Sequence, residues 1–302
     1  MNITLRQLRA FLAISELGSF TEAAKKLSLT QAAVSVLIKE LESELGVRVL
    51  DRHTRMAQLS EAGRDFLPYV QRVLNDLDDA ANSVSSIRDK KKGVVRLAAP
   101  QMMACTLVPR LIASFHTAYP DVEIRLVDSL PEQTLEHIAD GAVEIAIGPD
   151  VGSTAQLTRH DLLSDHHMLV CLPDHPLASK PKPRWADVSK YPFIAPTRDF
   201  MKRLEPELVA FGGKTVITPV HEVSYMTTAM GMVAEGLGVS ACPSYSKRLA
   251  EAYGLHMAPL VAPQFFRDVY IFSSPLRSLS PAAAAFVDHV HRYVEEGPGL
   301  VD

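Results

Sequence analysis

The stretch from Ser19 to Gly63, SFTEAAKKLSLTQAAVSVLIKELESELGVRVLDRHTRMAQLSEAG, constrains the fold more than any other part of the chain. Only Ser28, Leu29 and Thr30 separate a short helical pattern, TEAAKKL, from a longer one that begins at Gln31. Small Ala23 and Ala24, with Leu27, face inward and let another helix pack closely. Ser19 stands three residues before Glu22, the spacing of a reciprocal capping box, and Thr30 caps the next helix. Val34, Leu37, Ile38, Leu41 and Leu45 make the buried stripe of that helix, and Gly46 ends it. An amphipathic helix, Leu5 to Leu17, precedes the pair, with Leu5, Leu8, Phe11, Leu12 and Leu17 on one face and Gly18 at its end. Val47, Val49, Met56 and Leu59 suit two short strands around DRHTR, with Arg52 and Arg55 near the tip. The layout is a winged helix-turn-helix, whose third helix offers Gln31, Ala32 and Ser35 to DNA base edges.

The charge balance permits that reading only when taken by region. Through Lys92 the chain has 14 Lys and Arg against 12 Asp and Glu, and beyond it 17 against 23. The N-terminal third is thus slightly basic although the whole carries −4. At 302 residues and 47% apolar, the chain is long enough for two or three packed domains and too apolar for disorder. No run of about eighteen apolar residues predicts a membrane span. The start MNITLRQLRAF does not read as a secretion signal, so a cytoplasmic protein is expected. Cys105, Cys171 and Cys242 form no CxxC pair and no zinc spacing, so buried free thiols are expected.

Ser60 caps a longer helix running to about Ile87. Phe66, Val70, Val73, Leu77, Ala80, Val84 and Ile87 recur at steps of four and three, a heptad seam that predicts pairing with a second copy. Pro68 near its start favours a kink. The polar tether RDKKKG follows. From Gly93 strands alternate with helices: GVVRLAAP, VEIRLVD and VEIAIG, then HHMLVCLP, FIAP, VSACP and DVYIFSSP, with SPAAAAFVDHVHRYV as a last helix. This rhythm predicts a mainly parallel sheet with helices on its faces, and its length predicts two half-domains. Ligands in such folds sit at the C-terminal ends of strands.

These residues resemble the LysR-type transcriptional regulators over nearly the full length. The resemblance is carried by LRAFLAISELGSFTEAAKKLSLTQAAVSVLIKELESELGVRVLDR, LSEAG, VPRLIASFHTAYPDVEIRL, LEHIADGAVEIAIG, LVCLPDHPLA and GMVAEGLGVSACP. It implies an α/β chain with a winged helix-turn-helix over 1–59, a linker and dimerisation helix with tether over 60–92, and a two-lobed effector domain over 93–302, similar to periplasmic binding proteins. Lobe 1 is expected at about 93–163 and 269–302, and lobe 2 at about 164–268. It further implies tetramers on interrupted inverted repeats near promoters, with a small co-inducer in the inter-lobe cleft adjusting DNA bending. Val36 departs from the polar residue common after the recognition-helix Ser. Val49-Leu50 replaces a usual Leu-Phe. Pro100-Gln101 replaces a Ser or Thr common after the first effector-domain strand.

The expected DNA contacts are Ser19, Thr21, Thr30, Gln31, Ala32, Ser35, Lys39, Arg52 and Arg55. The expected effector contacts are Pro100, Gln101, Met102, Met103, Ser129, Gly148, Pro149, Thr197, Phe200, Tyr225 and Met226, taken from strand ends and the family's cleft. Their Met and aromatic content suits an aromatic or organic acid. Promoter DNA, a small-molecule effector, further copies of the chain and RNA polymerase are the expected partners, with no membrane and no cofactor. Neighbouring His166 and His167 point to opposite faces of a strand, so the group with His160 and His175 is not expected to hold a metal. Two alternatives stay open: a thiol-based redox sensor of the same fold, and a two-lobed binding protein or enzyme. No P-loop, GxSxG, HExxH or GxGxxG stands in a suitable place, so no enzyme is expected.

Overall fold

The computed structural model describes residues 2–51, 57–86, 92–152, 157–197, 199–212 and 215–296. Two compact units emerge, one of residues 1–89 with 139–142 and one of residues 90–138 and 143–302.

In the first unit, helix α1 (Leu5–Leu17) opens on a full capping box between Thr4 and Gln7 and closes on Gly18 at φ 60°. Helix α2 (Phe20–Lys26) starts at Ser19, whose Oγ accepts from Glu22 N at 3.3 Å. The expected reciprocal arm is not made: the Glu22 carboxylate is turned to Lys25 Nζ at 2.8 Å. An exposed ion pair one turn along the helix outcompetes the return to the cap. Helix α3 (Gln31–Leu45) starts on Thr30, whose Oγ1 accepts from Ala33 N, and ends on Gly46 at φ 71°. Phe11, Ile14, Ala23, Val34, Ile38 and Leu41 are each fully buried where the three helices meet. Leu37 and Leu45 only flank that core, and Leu17 and Val47 are exposed.

The wing strands are β1 (Leu50–Asp51) and β2 (Gln58–Leu59), antiparallel with Leu50 opposite Leu59. Val49 is buried just ahead of β1, while Met56 falls outside the described residues. Helix α4 (Glu61–Ser86) carries Pro68 inside it. Ser60 Oγ accepts from Gly63 N at 3.0 Å and donates to Arg48 O at 2.7 Å, so one hydroxyl fixes both the helix start and the wing. Gly63 presses on the wing so closely that a Cβ there would lie 2.0 Å from Val49 O.

The second unit begins with β3 (Gly93–Pro100), α5 (Gln101–Thr106), α6 (Val108–Ala118), β4 (Val122–Ser129), α7 (Pro131–Ala139) and β5 (Ile145–Pro149). Strand β6 (Thr158–Cys171) is 14 residues long. After it come α8 (Trp185–Val188), β7 (Phe193–Ala195), α9 (Phe200–Ala210), β8 (Pro219–Glu222), α10 (Met226–Ala234), β9 (Ser240–Pro243), α11 (Lys247–Ala252), β10 (His256–Pro259), β11 (Phe266–Ser273) and α12 (Pro281–Glu296).

The seven-stranded sheet runs β10-β6-β11-β5-β3-β4, with β9 also on β6. It is mixed, which corrects the expectation of a mainly parallel sheet. β3 lies parallel to β4 and β5, but β11 is antiparallel to β5 and β6, and β6 is antiparallel to β9 and β10. The reason is connectivity. β6 and β11 carry the chain out of one half and back into the other, in opposite directions. β6 gives Leu162 to a core with Phe115, Ile147 and Phe286, then Leu169 and Cys171 to a second core around Trp185 and Phe193. Phe265, just before β11, belongs to the Trp185 core, while Val269 and Ile271 belong to the first. Two lobes with separate cores, joined by crossing strands, result.

Candidate functional site

The first candidate surface is α3. Gln31, Ser35 and Lys39 are all exposed and lie four residues apart, so they form one line along the helix. Ala32 and Val36, the latter 53% exposed, make a parallel apolar line beside it. Ser19 and Thr30 spend their hydroxyls on caps, as acceptors, and so fix where α2 and α3 start. Thr21 is exposed on the first turn of α2. Arg52 and Arg55 lie outside the described residues.

The helical seam divides. Val70 is 1% exposed and Phe66 packs on Phe11 at 5.6 Å, so both belong to their own unit's core, together with Leu74. Val73, Leu77 and Ala80 are exposed. The side chain of Val84, although its backbone is within α4, and the whole of Ile87 lie outside the described residues.

The second candidate is a cleft between the lobes of the second unit. Its floor and walls come from the end of β3 and start of α5 (Pro100, Gln101, Met102, Met103), from Ser129 at the end of β4, and from Pro149 at the end of β5. The second lobe contributes Thr197, Phe200, Tyr225 and Met226. Strand ends and helix starts therefore bring ten of the eleven expected residues together. Gly148 does not reach the cleft. Its missing Cβ would touch Pro100 Cδ at 3.4 Å, so Pro100 covers it.

Sequence reasoning missed the charged lining: Asp165, His166 and His167 from β6, Arg203 from α9, and Arg267 from β11, beside Tyr245. Its signal was present, since DHHMLVC and FFRDVYIF place charged residues inside apolar strands that must bury them. Asp165 accepts from Ser244 N at 3.0 and 3.2 Å and from Ser244 Oγ at 2.5 Å, and burial raises its carboxyl above the ordinary value. Burial first, then the charge of Arg267 and more weakly that of Arg203, lowers His167 to about 3, so it is neutral. Its ring stands edge-on to Phe200 at 5.5 Å. Burial and the like charge of Arg203 also lower Arg267. Gln101 Oε1, His167 Nδ1, Thr197 Oγ1 and Arg203 Nε are buried with no hydrogen-bond partner.

The three thiols are free. Burial raises Cys171 to about 11 and Cys242 to about 12, and they sit in different cores, beside Trp185 and beside Met230 respectively. Cys105 is exposed, which corrects the expectation of a buried thiol there, because it sits on the outer side of α5; partial desolvation still raises it. None has the lowered pKa of a reactive thiolate. The four histidines separate: His160 faces His291, His166 faces Phe266 and His175 faces Tyr191. Among the described residues no helix is long and apolar enough to cross a membrane.

Residues 5–64 match the bacterial regulatory helix-turn-helix protein model of the lysR family, and residues 88–295 match the LysR substrate binding domain. The uncharacterized HTH-type transcriptional regulator YfeR of Shigella flexneri is 32% identical over 292 residues, covering 96% of this chain and 94% of that one. A probable RuBisCO transcriptional regulator of Synechocystis sp. is 30% identical over 307 residues, covering 99% and 89%. Full-length CbnR complexed with its target DNA shares the fold at TM-score 0.74 and 20% identity, covering 96% of this chain and 99% of that one. The effector binding domain of QuiR in complex with shikimate does so at TM-score 0.60 and 21% identity, covering 68% and 100%. With both family models matched in order, the chain belongs to the LysR family of transcriptional regulators, DNA-binding proteins with a two-lobed effector-binding domain and not enzymes.

Proposed function

We propose that this regulator binds interrupted inverted repeats at promoters as a dimer of dimers, and that a small molecule in the inter-lobe cleft changes how it bends that DNA. The observation that carries the ligand-responsive part is the set of four buried, unpartnered polar atoms lining one open cleft, Gln101 Oε1, His167 Nδ1, Thr197 Oγ1 and Arg203 Nε. Buried polar groups are rarely left unsatisfied unless a ligand or water completes them. The fold likeness to the QuiR domain solved with shikimate supports a ligand in this position.

For the DNA end, the exposed line Gln31–Ser35–Lys39 suits two base-edge contacts and a phosphate, and Ala32 with Val36 suits thymine methyl groups. Thr21, Ser19 and Thr30 stand at helix starts, where phosphates are bound. Arg52 and Arg55, which follow β1 in the sequence, complete the proposed set. Exposed Val73, Leu77 and Ala80 of α4 supply the self-association seam. RNA polymerase is the partner through which such a complex at a promoter acts, and the cytoplasm is its place.

A gel-shift titration of the full chain on its own promoter region at several salt concentrations tests this. Sequence-specific binding that weakens steeply with salt is expected, together with a change in the bend when a cleft ligand is added. Equal binding to unrelated DNA overturns the proposal.

A further inference from the structure

The unpartnered polar atoms of the cleft are not spread evenly. Thr197 Oγ1 and Arg203 Nε belong to the second lobe, and His167 Nδ1 to the strand that enters it, whereas Gln101 Oε1 belongs to α5 of the first. Arg267 lines the cleft with Arg203, close enough for each guanidinium to feel the other. A buried hydrogen-bonding group left unpaired costs about 1–3 kcal/mol. Thr197 Oγ1 and Arg203 Nε, the donors among these atoms, together with the Arg267 guanidinium make a seat for an anion, whereas Gln101 Oε1 can only accept.

The local charges set how large that anion's charge is. Asp165 stands opposite Arg267 in the β6–β11 register, but its carboxylate is engaged by Ser244 N and Oγ. Glu207, exposed, is the acid whose charge both arginines feel. His167 is neutral. Against the two guanidiniums stand two acids, the Asp165 carboxyl held by Ser244 and solvent-facing Glu207, so the site carries too little positive charge for a doubly charged phosphate and a singly charged carboxylate is the better match. Pro100, at the end of β3, has neither N–H nor hydroxyl to offer an acid there. Met102, Phe200, Met226 and Val269 supply the apolar part of the lining, beside the polar Ser129, His166 and Ser224.

We infer that the cleft takes a monocarboxylic acid in one orientation, its carboxylate on Arg203, Arg267 and Thr197 of the second-lobe side, its apolar body against Met102, Phe200 and Met226, and a hydroxyl or amino group at its far end on Gln101. The inference rests on the reading of the cleft as the effector site. Arg203 and Arg267 are then the specificity-determining residues, and the acid draws the second lobe toward α5 by bridging to Gln101.

Thermal shifts of the full chain with benzoate, 4-hydroxybenzoate and 4-hydroxyphenylacetate, each beside its primary amide, test it. The amide keeps the shape and loses the charge. At least one hydroxy acid raises the melting temperature, its amide does not, and Arg203→Gln weakens that acid roughly tenfold or more. Arg267→Gln does the same, and Thr197→Val gives a smaller loss that keeps the test open if the buried Arg267 variant fails to fold. Acid and amide binding alike, an acid shift that survives in Arg203→Gln, or no acid-dependent shift across the panel overturns the inference. A ligand that binds unchanged when the cleft is filled by Met226→Trp overturns instead the reading of the cleft on which it rests.

Discussion

At Gly63 two backbones come together, and the residue's neighbours decide what a single methyl does. Gly63 lies in the first turn of α4, where helix propensity alone makes alanine better by about 1 kcal/mol. Its Cβ, however, would lie 2.0 Å from Val49 O and 3.0 Å from the same carbonyl carbon, atoms that no rotamer change can move. Gly63→Ala therefore destabilises the N-terminal unit by about 3 kcal/mol or more, read as a drop in the urea midpoint. Gln31 is the opposite kind of residue, exposed and outside any cap. Gln31→Ala leaves that midpoint unchanged and relaxes preference at one base pair by about 1–3 kcal/mol, measured by competition gel shift with single-base operator variants. Unaltered discrimination removes Gln31 from the base contacts.

Among the elements, α4 answers two demands with two faces. Phe66, Val70 and Leu74 fasten its first half to the helix-turn-helix, and Val73, Leu77 and Ala80 point away. Leu77→Lys consequently weakens self-association without unfolding the unit, whereas Leu74→Lys, at a site 7% exposed, unfolds it. Light scattering and circular dichroism of the two variants separate the roles, and an unchanged oligomer in Leu77→Lys moves the seam elsewhere. The heptad pattern was legible in the sequence, but it could not say that its first two members are taken by the domain's own core, because core and seam residues are equally apolar. Helices bounded by Thr4, Gly18, Thr30 and Gly46 were legible because capping is local chemistry. The four-residue strands β8 and β10 and the short helices α8 and α11 carry too few residues for a period to show. The N-terminal half of β6, TRHDLLSD, reads as polar because one side of it is exposed, and the antiparallel crossing of β6 and β11 is decided by pairing far apart in sequence. The same crossing hid Asp165, His167 and Arg267. Strand ends pointed to Pro100, Ser129 and Pro149, whereas these three reach the cleft from within strands.

For the molecule as a whole, the cleft's chemistry enters stability through His167. Its folded-state pKa is about 3 against an ordinary 6.5, held down by burial and by Arg267. Above the ordinary value both folded and unfolded chains carry a neutral ring, and His167 adds no pH dependence. As pH falls below about 6.5 the unfolded chain takes a proton that the fold refuses, so stability is lost at up to about 1.4 kcal/mol per pH unit, and the loss continues toward the folded pKa. The lowered carboxylates Glu123 and Asp187 titrate below their ordinary values of 4.5 and 3.8, so they stay out of the upper part of this window. His175 and His289 are lowered as well, but they remain when His167 alone is replaced. His167→Gln gives the discriminating measurement. Urea midpoints of wild type and variant, taken at about pH 7.5 and about pH 5, should converge or cross on acidification, because the wild type loses roughly 2 kcal/mol that the variant does not. Parallel loss in both proteins places the acid sensitivity outside the cleft. Convergence shows instead that the group turned toward the ligand, on a strand shared by both lobes, also sets how firmly the two-lobed unit holds together in acid.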